Sequence, residues 1–373
     1  MQAKPAAPTT AAGVVAAAKQ AAQPAPQSSP VPTATASSGD SAPAAFDMEA
    51  YISQYSGNTR IARLLNIADW FPNLKIDALR LAITELKQGF NTAAYAQACK
   101  MAGDALGPLG IFDAKWAEET DRKAQQQIDR LEIDLNGYKT NMVRESIRTC
   151  HNDMGDFYVR RGDYTNALKS YIRARDYSSS PKHEMALCFN VIKVSLAMGN
   201  YSYLQSFLTK AEAIPPEAGQ PEPERRVLNS KLKVSNALHQ LFSRNYRLAA
   251  RALLECQVDI GAAFNEVITP ADIALIGGLC ALATYDRRDL KQKVIDNGPF
   301  KSFLELQPDL REAITRFYMC DYAECLGILD RIKARRTITR TARLARREGE
   351  GEGSGGLMRA ADAHRDGGRF GSG

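Results

Sequence analysis

Residues 150–177, CHNDMGDFYVRRGDYTNALKSYIRARDY, constrain the fold of this chain more than any other stretch. Within it Met154, Gly155, Tyr158, Gly162, Tyr164, Ala167, Tyr171 and Ala174 carry the size pattern that two closely packed antiparallel helices need. A glycine at 155 lets a neighbouring helix approach, and Tyr158 fills the groove beside it. Gly162 suits the left-handed residue that ends a helix. Asp163 then caps the next helix, and Ala167, Tyr171 and Ala174 recur at four and three positions along one face. A hairpin of this kind cannot bury its apolar face alone, so further copies are expected.

Degraded copies follow. Gly199-Asn200-Tyr201, Arg244-Asn245-Tyr246, Arg288-Asp289-Leu290 and Cys320-Asp321-Tyr322 echo Gly162-Asp163-Tyr164 at uneven intervals. Leu204, Leu208 and Ala211 take the offsets of Ala167, Tyr171 and Ala174, while Ala249 with Leu253 and Cys325 with Leu329 follow the later turns. Upstream, helical spacing predicts helices over Met48–Tyr55, Thr59–Trp70, Leu74–Lys87 and Asn91–Ala105, with a break at Gly107-Pro108. From Asp113 to about Gly137, a thin stripe of Trp116, Ile128, Leu131 and Leu135 in charged, Gln-rich surroundings predicts one long, solvated helix. No segment alternates with period two. The expected fold is all-α, an irregular right-handed solenoid of tetratricopeptide-like (TPR-like) helical repeats.

The division expected along the chain is a disordered Ala/Pro/Ser-rich tail at 1–45, an N-terminal helical region at 46–140, helical repeats at 141–333 and a disordered Arg/Gly-rich tail at 334–373. Residues 1–45 have too few large apolar side chains to offset the entropy of ordering them. The stretch at 11–18, AAGVVAAA, is too weak for a signal peptide or a membrane span.

Charge offers little towards function. Of the net +6, residues 335–373 hold about +4 and residues 1–45 about +1, which leaves the helical part nearly neutral. The one basic cluster is Arg335, Arg336, Arg340, Arg343, Arg346 and Arg347. It fits a nuclear import signal or a phosphate-binding tail, and it lacks the interleaved aromatics that stack bases.

Catalytic and metal-binding patterns were sought and none is local in the sequence. The four histidines, 151, 183, 239 and 364, are widely scattered, and no two stand at a metal-binding spacing. The seven cysteines sit in helix-like apolar patterns without paired spacing, so reduced, packed thiols are expected, Cys320 and Cys325 included. Gly351-x-Gly353-x-x-Gly356 matches a dinucleotide fingerprint only formally, since it follows no strand and opens no helix. His151 and His183, at either end of the hairpin, read as packing or capping residues. No cofactor, metal or catalytic residue is assigned.

The residues also carry a resemblance. LNGYKTNMVRESIRTCHNDMGDFYVRRGDYTNALKSYIRARDY, with CFNVIKVSLAMGNYS after it, resembles the subunit-one family of the COP-nine signalosome. YISQYSGNTRIARLLNIADWFP is similar to the start of that family, while NSKLKVSNALHQLFSRNYRLAARALLEC and DRRDLKQKVIDN fit both it and its proteasome-lid paralogue. The resemblance spans about residues 48–333 and is most specific over 135–200. It implies a non-catalytic scaffold of cytoplasm and nucleus, with other signalosome subunits as partners and cullin-RING ligases as indirect ones. In that complex a metalloprotease in another subunit removes the ubiquitin-like Nedd modifier from cullins. No membrane and no specific nucleic acid are expected as partners. The family pattern further implies a winged helix after the repeats, the two together forming a PCI domain. After CDYAECLGILDRIK this sequence instead enters its Arg- and Gly-rich stretch, which suggests a truncated isoform or a misread exon boundary. A proteasome-lid scaffold and an RNA-associated PCI-type factor acting through the basic tail are the alternatives.

Overall fold

The hairpin forms around one tight contact. In a computed structural model, which describes residues 47–215 and 220–339 with side chains through Ile332, the Tyr171 ring lies on the backbone at Gly155. A Cβ there would stand 2.5 Å from Tyr171 Cε1. Gly155→Ala is therefore expected to force the ring or the helix aside, at about 1–3 kcal/mol. Chemical denaturation of the variant checks this, and an unchanged midpoint would mean that the two helices do not meet there.

Among the described residues every regular element is helical. The N-terminal helices are α1 (Met48–Ser53), α2 (Gly57–Trp70), α3 (Lys75–Leu86) and α4 (Thr92–Ala102), followed by the long α5 (Ala114–Thr140). The hairpin is α6 (Arg144–Arg161) with α7 (Tyr164–Ala174). Next come α8 (Pro181–Met198), α9 (Tyr201–Ala213), α10 (Glu222–Phe242), α11 (Tyr246–Leu254) and α12 (Pro270–Thr284). The remainder is α13 (Arg287–Leu290), α14 (Gly298–Leu304), α15 (Pro308–Tyr318) and α16 (Tyr322–Thr339). Successive helices pack on one another, and one apolar core runs without interruption from Ala167 to Ile332. On α5 the buried residues, Ala117, Thr120, Ala124, Ile128 and Leu135, recur at helical spacing, and the opposite face is open to solvent.

One backbone device closes five of the connections. Gly162 takes φ +84°, its N–H donates to the Val159 carbonyl at 3.0 Å, and the Asp163 N–H reaches back to Tyr158 at 2.9 Å. This pair of bonds satisfies carbonyls that a helix end otherwise leaves without partners. The same pair, around a residue of positive φ, recurs at Gly199-Asn200, Arg244-Asn245 and Cys320-Asp321, each followed by a tyrosine that starts the next helix. The fifth is at Met142-Val143, with φ +57° at Met142. Neither residue type signals such a turn, so the sequence reading passes over it.

Three expectations need correction. The echo at Arg288-Asp289-Leu290 is not a hairpin turn, because Asp286 caps α13 by accepting from the Asp289 N–H at 2.8 Å, and residue 288 lies within the helix. Cys320 is exposed and takes φ +66° at a turn, so it does not share a helix with the buried Cys325. The last helix continues through Arg335 and Arg336 to Thr339, beyond the boundary expected at 334, since no glycine or proline interrupts that stretch. The tail expected at 1–45, and residues 340–373 of the tail expected at 334–373, lie outside the described residues.

A repeat array contacts only its neighbours, and α1 and α2 depart from that rule. They fold back along the chain, so that α2 touches α6 and α16 while its N-terminal turn bonds to residues 265 and 266. The Ser56 N–H donates to the Asn265 carbonyl at 3.4 Å, and the Thr59 hydroxyl donates to the Glu266 carbonyl. The Asn58 amide donates to the Val159 carbonyl and, at 3.2 Å, to the Tyr164 hydroxyl.

Candidate interaction surfaces

The residues singled out in the sequence build the hairpin's interior. Ala167, Tyr171 and Ala174 are buried, Tyr158 and Tyr164 half-buried, and the Tyr171 hydroxyl donates to the Asp156 carboxylate. Burial pushes the Tyr171 phenol far above its ordinary pKa, with the Asp156 charge adding to the effect, so it remains a donor. These groups are spent on one another. Of the basic cluster, Arg335 and Arg336 belong to the backbone of α16, while Arg340, Arg343, Arg346 and Arg347 lie outside the described residues.

His151 is a packing residue. It is buried on α6 and stacks on Tyr177 with ring centroids 6.1 Å apart. Desolvation, reinforced by the charges of Lys139 and Arg173, lowers its pKa to about 4. The folded chain thus holds a neutral imidazole that the unfolded chain protonates below about pH 6.5. Its contribution is complete above that pH and is lost as pH falls towards 4. His151→Phe is expected to lessen the loss of stability between pH 7 and pH 5 by up to about 2 kcal/mol. Melting curves of both proteins at the two pH values check this, and equal losses would refute it.

The most buried polar cluster joins the N-terminal helices to α12. Arg63 and Asp272 are 3% and 5% exposed, and the guanidinium meets the carboxylate at 2.7 Å. The Tyr55 hydroxyl donates to the same carboxylate oxygen at 2.7 Å, and the Arg63 guanidinium lies over the Tyr55 ring at 3.9 Å. A second arm of Arg63 donates to the Tyr51 hydroxyl. Asp272 also forms a capping box with Thr269 at the start of α12. Sequence reasoning missed this cluster. Thr269-Pro-Ala-Asp272 announces the cap, but nothing local pairs it with an arginine so far upstream.

An open groove of about 1310 Å³ lies between the end of α9 and the facing sides of α10 and α11. Met185, Ile214, Leu228 and Leu248 give it apolar walls, and Asn229, Asn236 and Gln240 line it along α10. Its cations are committed. Arg225 pairs with Glu222, Arg226 with Glu222 and Asp259, Lys233 with Glu255 at 3.3 Å, and Arg251 with Glu255 at 3.2 Å. Apolar walls, carboxamides and balanced charge suit a protein segment better than a phosphate chain. The groove's residues come from several helices, so no single stretch of sequence announces it.

Stacked α-hairpins with extended mixed surfaces define a helical-repeat protein. Residues 113–293 match the family described as 26S proteasome subunit RPN7. The chain is 44% identical over 292 residues to COP9 signalosome complex subunit 1 of Arabidopsis thaliana, covering 78% of this chain and 65% of that protein. It is 36% identical over 337 residues to subunit 1b of Drosophila melanogaster, at 77% and 64% coverage. Against 26S proteasome non-ATPase regulatory subunit 6 of Dictyostelium discoideum, identity is 25% over 248 residues, at 64% and 63% coverage. The chain is thus a homologue of proteins named COP9 signalosome complex subunit 1, and its residues 113–293 resemble the RPN7 family. It spans just under two thirds of the length of these relatives. Among the described residues no helix is long and apolar enough to cross a membrane.

Proposed function

We propose that this chain is a scaffold subunit of the COP9 signalosome, which supports removal of the Nedd modifier from cullin-RING ligases through contacts with the other subunits. The observation that carries this reading is the 44% identity over 292 residues to the Arabidopsis subunit, against 25% for the proteasome subunit of Dictyostelium. The geometry is in keeping with it. The groove between α9 and α11 presents apolar walls with internally paired charges, as a protein contact surface does. Burial pushes the thiols of Cys188 and Cys256 up to about 11 and about 12, so both stay protonated and unreactive. In this reading the hairpins after residue 140 form the scaffold, the helices before it brace them, and the subunit works in cytoplasm and nucleus.

The test is reconstitution. Signalosome assembled without its own subunit 1 is mixed with this chain and passed over a sizing column, and a Nedd-conjugated cullin is offered to each fraction. Co-elution, with cleavage in the complex and none by the chain alone, is expected. Cleavage by the purified chain alone, or its failure to co-elute, would overturn the proposal.

A further inference from the structure

A second surface lies where α8, α10 and the segment before α12 meet, and it bears charge left over. Lys193 on α8 is paired with Glu266 at 2.7 Å. Lys231 on α10 stands nearby with its ammonium 5.9 Å from the ring centres of both Phe189 and Phe264. These two rings are buried and meet edge to face at 6.5 Å, which fixes the lysine's surroundings. Among the described residues Lys231 makes no ion pair. Of the two cations only Lys193 is paired with the nearby carboxylate.

That arrangement is costly in the free protein. Half-burial removes water from the ammonium, and the like charge of Lys193 works in the same direction, so the Lys231 pKa lies below the usual lysine range. The two aromatic faces return only part of that loss. An incoming carboxylate would face an ammonium that is already partly desolvated and held between rigid walls, so it would gain more than at an open lysine. A nucleic-acid track needs several cations in a row, and here the one next to Lys231 is already occupied by Glu266.

We propose that Lys231, framed by Phe189 and Phe264 and flanked by the Lys193–Glu266 pair, receives an acidic side chain from an acidic peptide segment of a partner protein. The site stands on this geometry and does not depend on which complex the chain joins.

The experiment uses the full chain and a fluorescein-labelled peptide of alternating Glu and Ser, followed by fluorescence anisotropy at low and moderate salt. Lys231→Met keeps the aliphatic stem between the rings and removes the charge. It is expected to weaken binding at least about fivefold and to flatten the salt dependence. Lys231→Arg, and Lys210→Met as a control with equal charge loss, are expected to bind within about twofold of the parent. Every variant keeps residues 335–373, so the arginines there contribute equally to all. Equal binding by Lys231→Met and Lys210→Met would overturn the proposal. So would an oligo-uridine RNA that displaces the peptide and itself depends on Lys231.

Discussion

Asp272→Ala is expected to lower stability by about 3–5 kcal/mol, because it leaves the Arg63 guanidinium buried without its counterion. The carboxylate serves three partners, the Arg63 guanidinium, the Tyr55 hydroxyl and the first turn of α12, and alanine replaces none of them. For a body of this size the loss corresponds to a fall in melting temperature of roughly 6–10 °C. The damage should be local before it is global. Hydrogen exchange should quicken first in α1 and α2, the elements that this contact ties down. Replacing both partners with apolar residues of similar volume, as in Arg63→Met with Asp272→Leu, is expected to recover the part of the loss due to the uncompensated charge, while the Tyr55 hydroxyl and the α12 cap stay unserved. A melting temperature unchanged in Asp272→Ala would mean that the N-terminal helices are not seated on α12.

Tyr171→Ala is the second large effect, also about 3–5 kcal/mol. The side chain is 3% exposed, its ring covers Gly155, and its hydroxyl satisfies Asp156. Truncation therefore opens a cavity between α6 and α7 and strips the Asp156 carboxylate of its donor. Tyr171→Phe separates the two losses. It keeps the ring and should cost only about 1–2 kcal/mol, the share belonging to the hydrogen bond. Denaturant titration of both variants checks the order. Equal losses would show that the ring's packing against Gly155 contributes nothing.

The two sites differ in how far the sequence reveals them. The contact of Tyr171 with Gly155 lies inside a single hairpin, and the small and large positions that produce it fall within one recognisable spacing. Turns at Gly162, Gly199, Arg244 and Cys320 were legible because a capping Asp or Asn followed by Tyr marks them, even where arginine or cysteine holds the left-handed position. The same mark misled at Arg288-Asp289-Leu290, where the capping Asp is Asp286 and no residue takes positive φ. The turn at Met142 carries no mark at all, because its backbone bonds close it without help from a side chain. Arg63 reads locally as an ordinary member of an amphipathic helix and Asp272 as an ordinary cap. Their pairing is tertiary, and a chain read in local windows has no way to join residues so far apart. The groove between α9 and α11 and the Lys231 surface share that difficulty, since each is assembled from several helices.

Affinity purification of the tagged full chain from cells, with mass spectrometry of what it retains, tests the scaffold reading most directly. Signalosome subunits recovered together, in comparable amounts and without proteasome-lid subunits, are the expected result. Recovery of lid subunits in their place, or of the chain with no signalosome subunit, would contradict it.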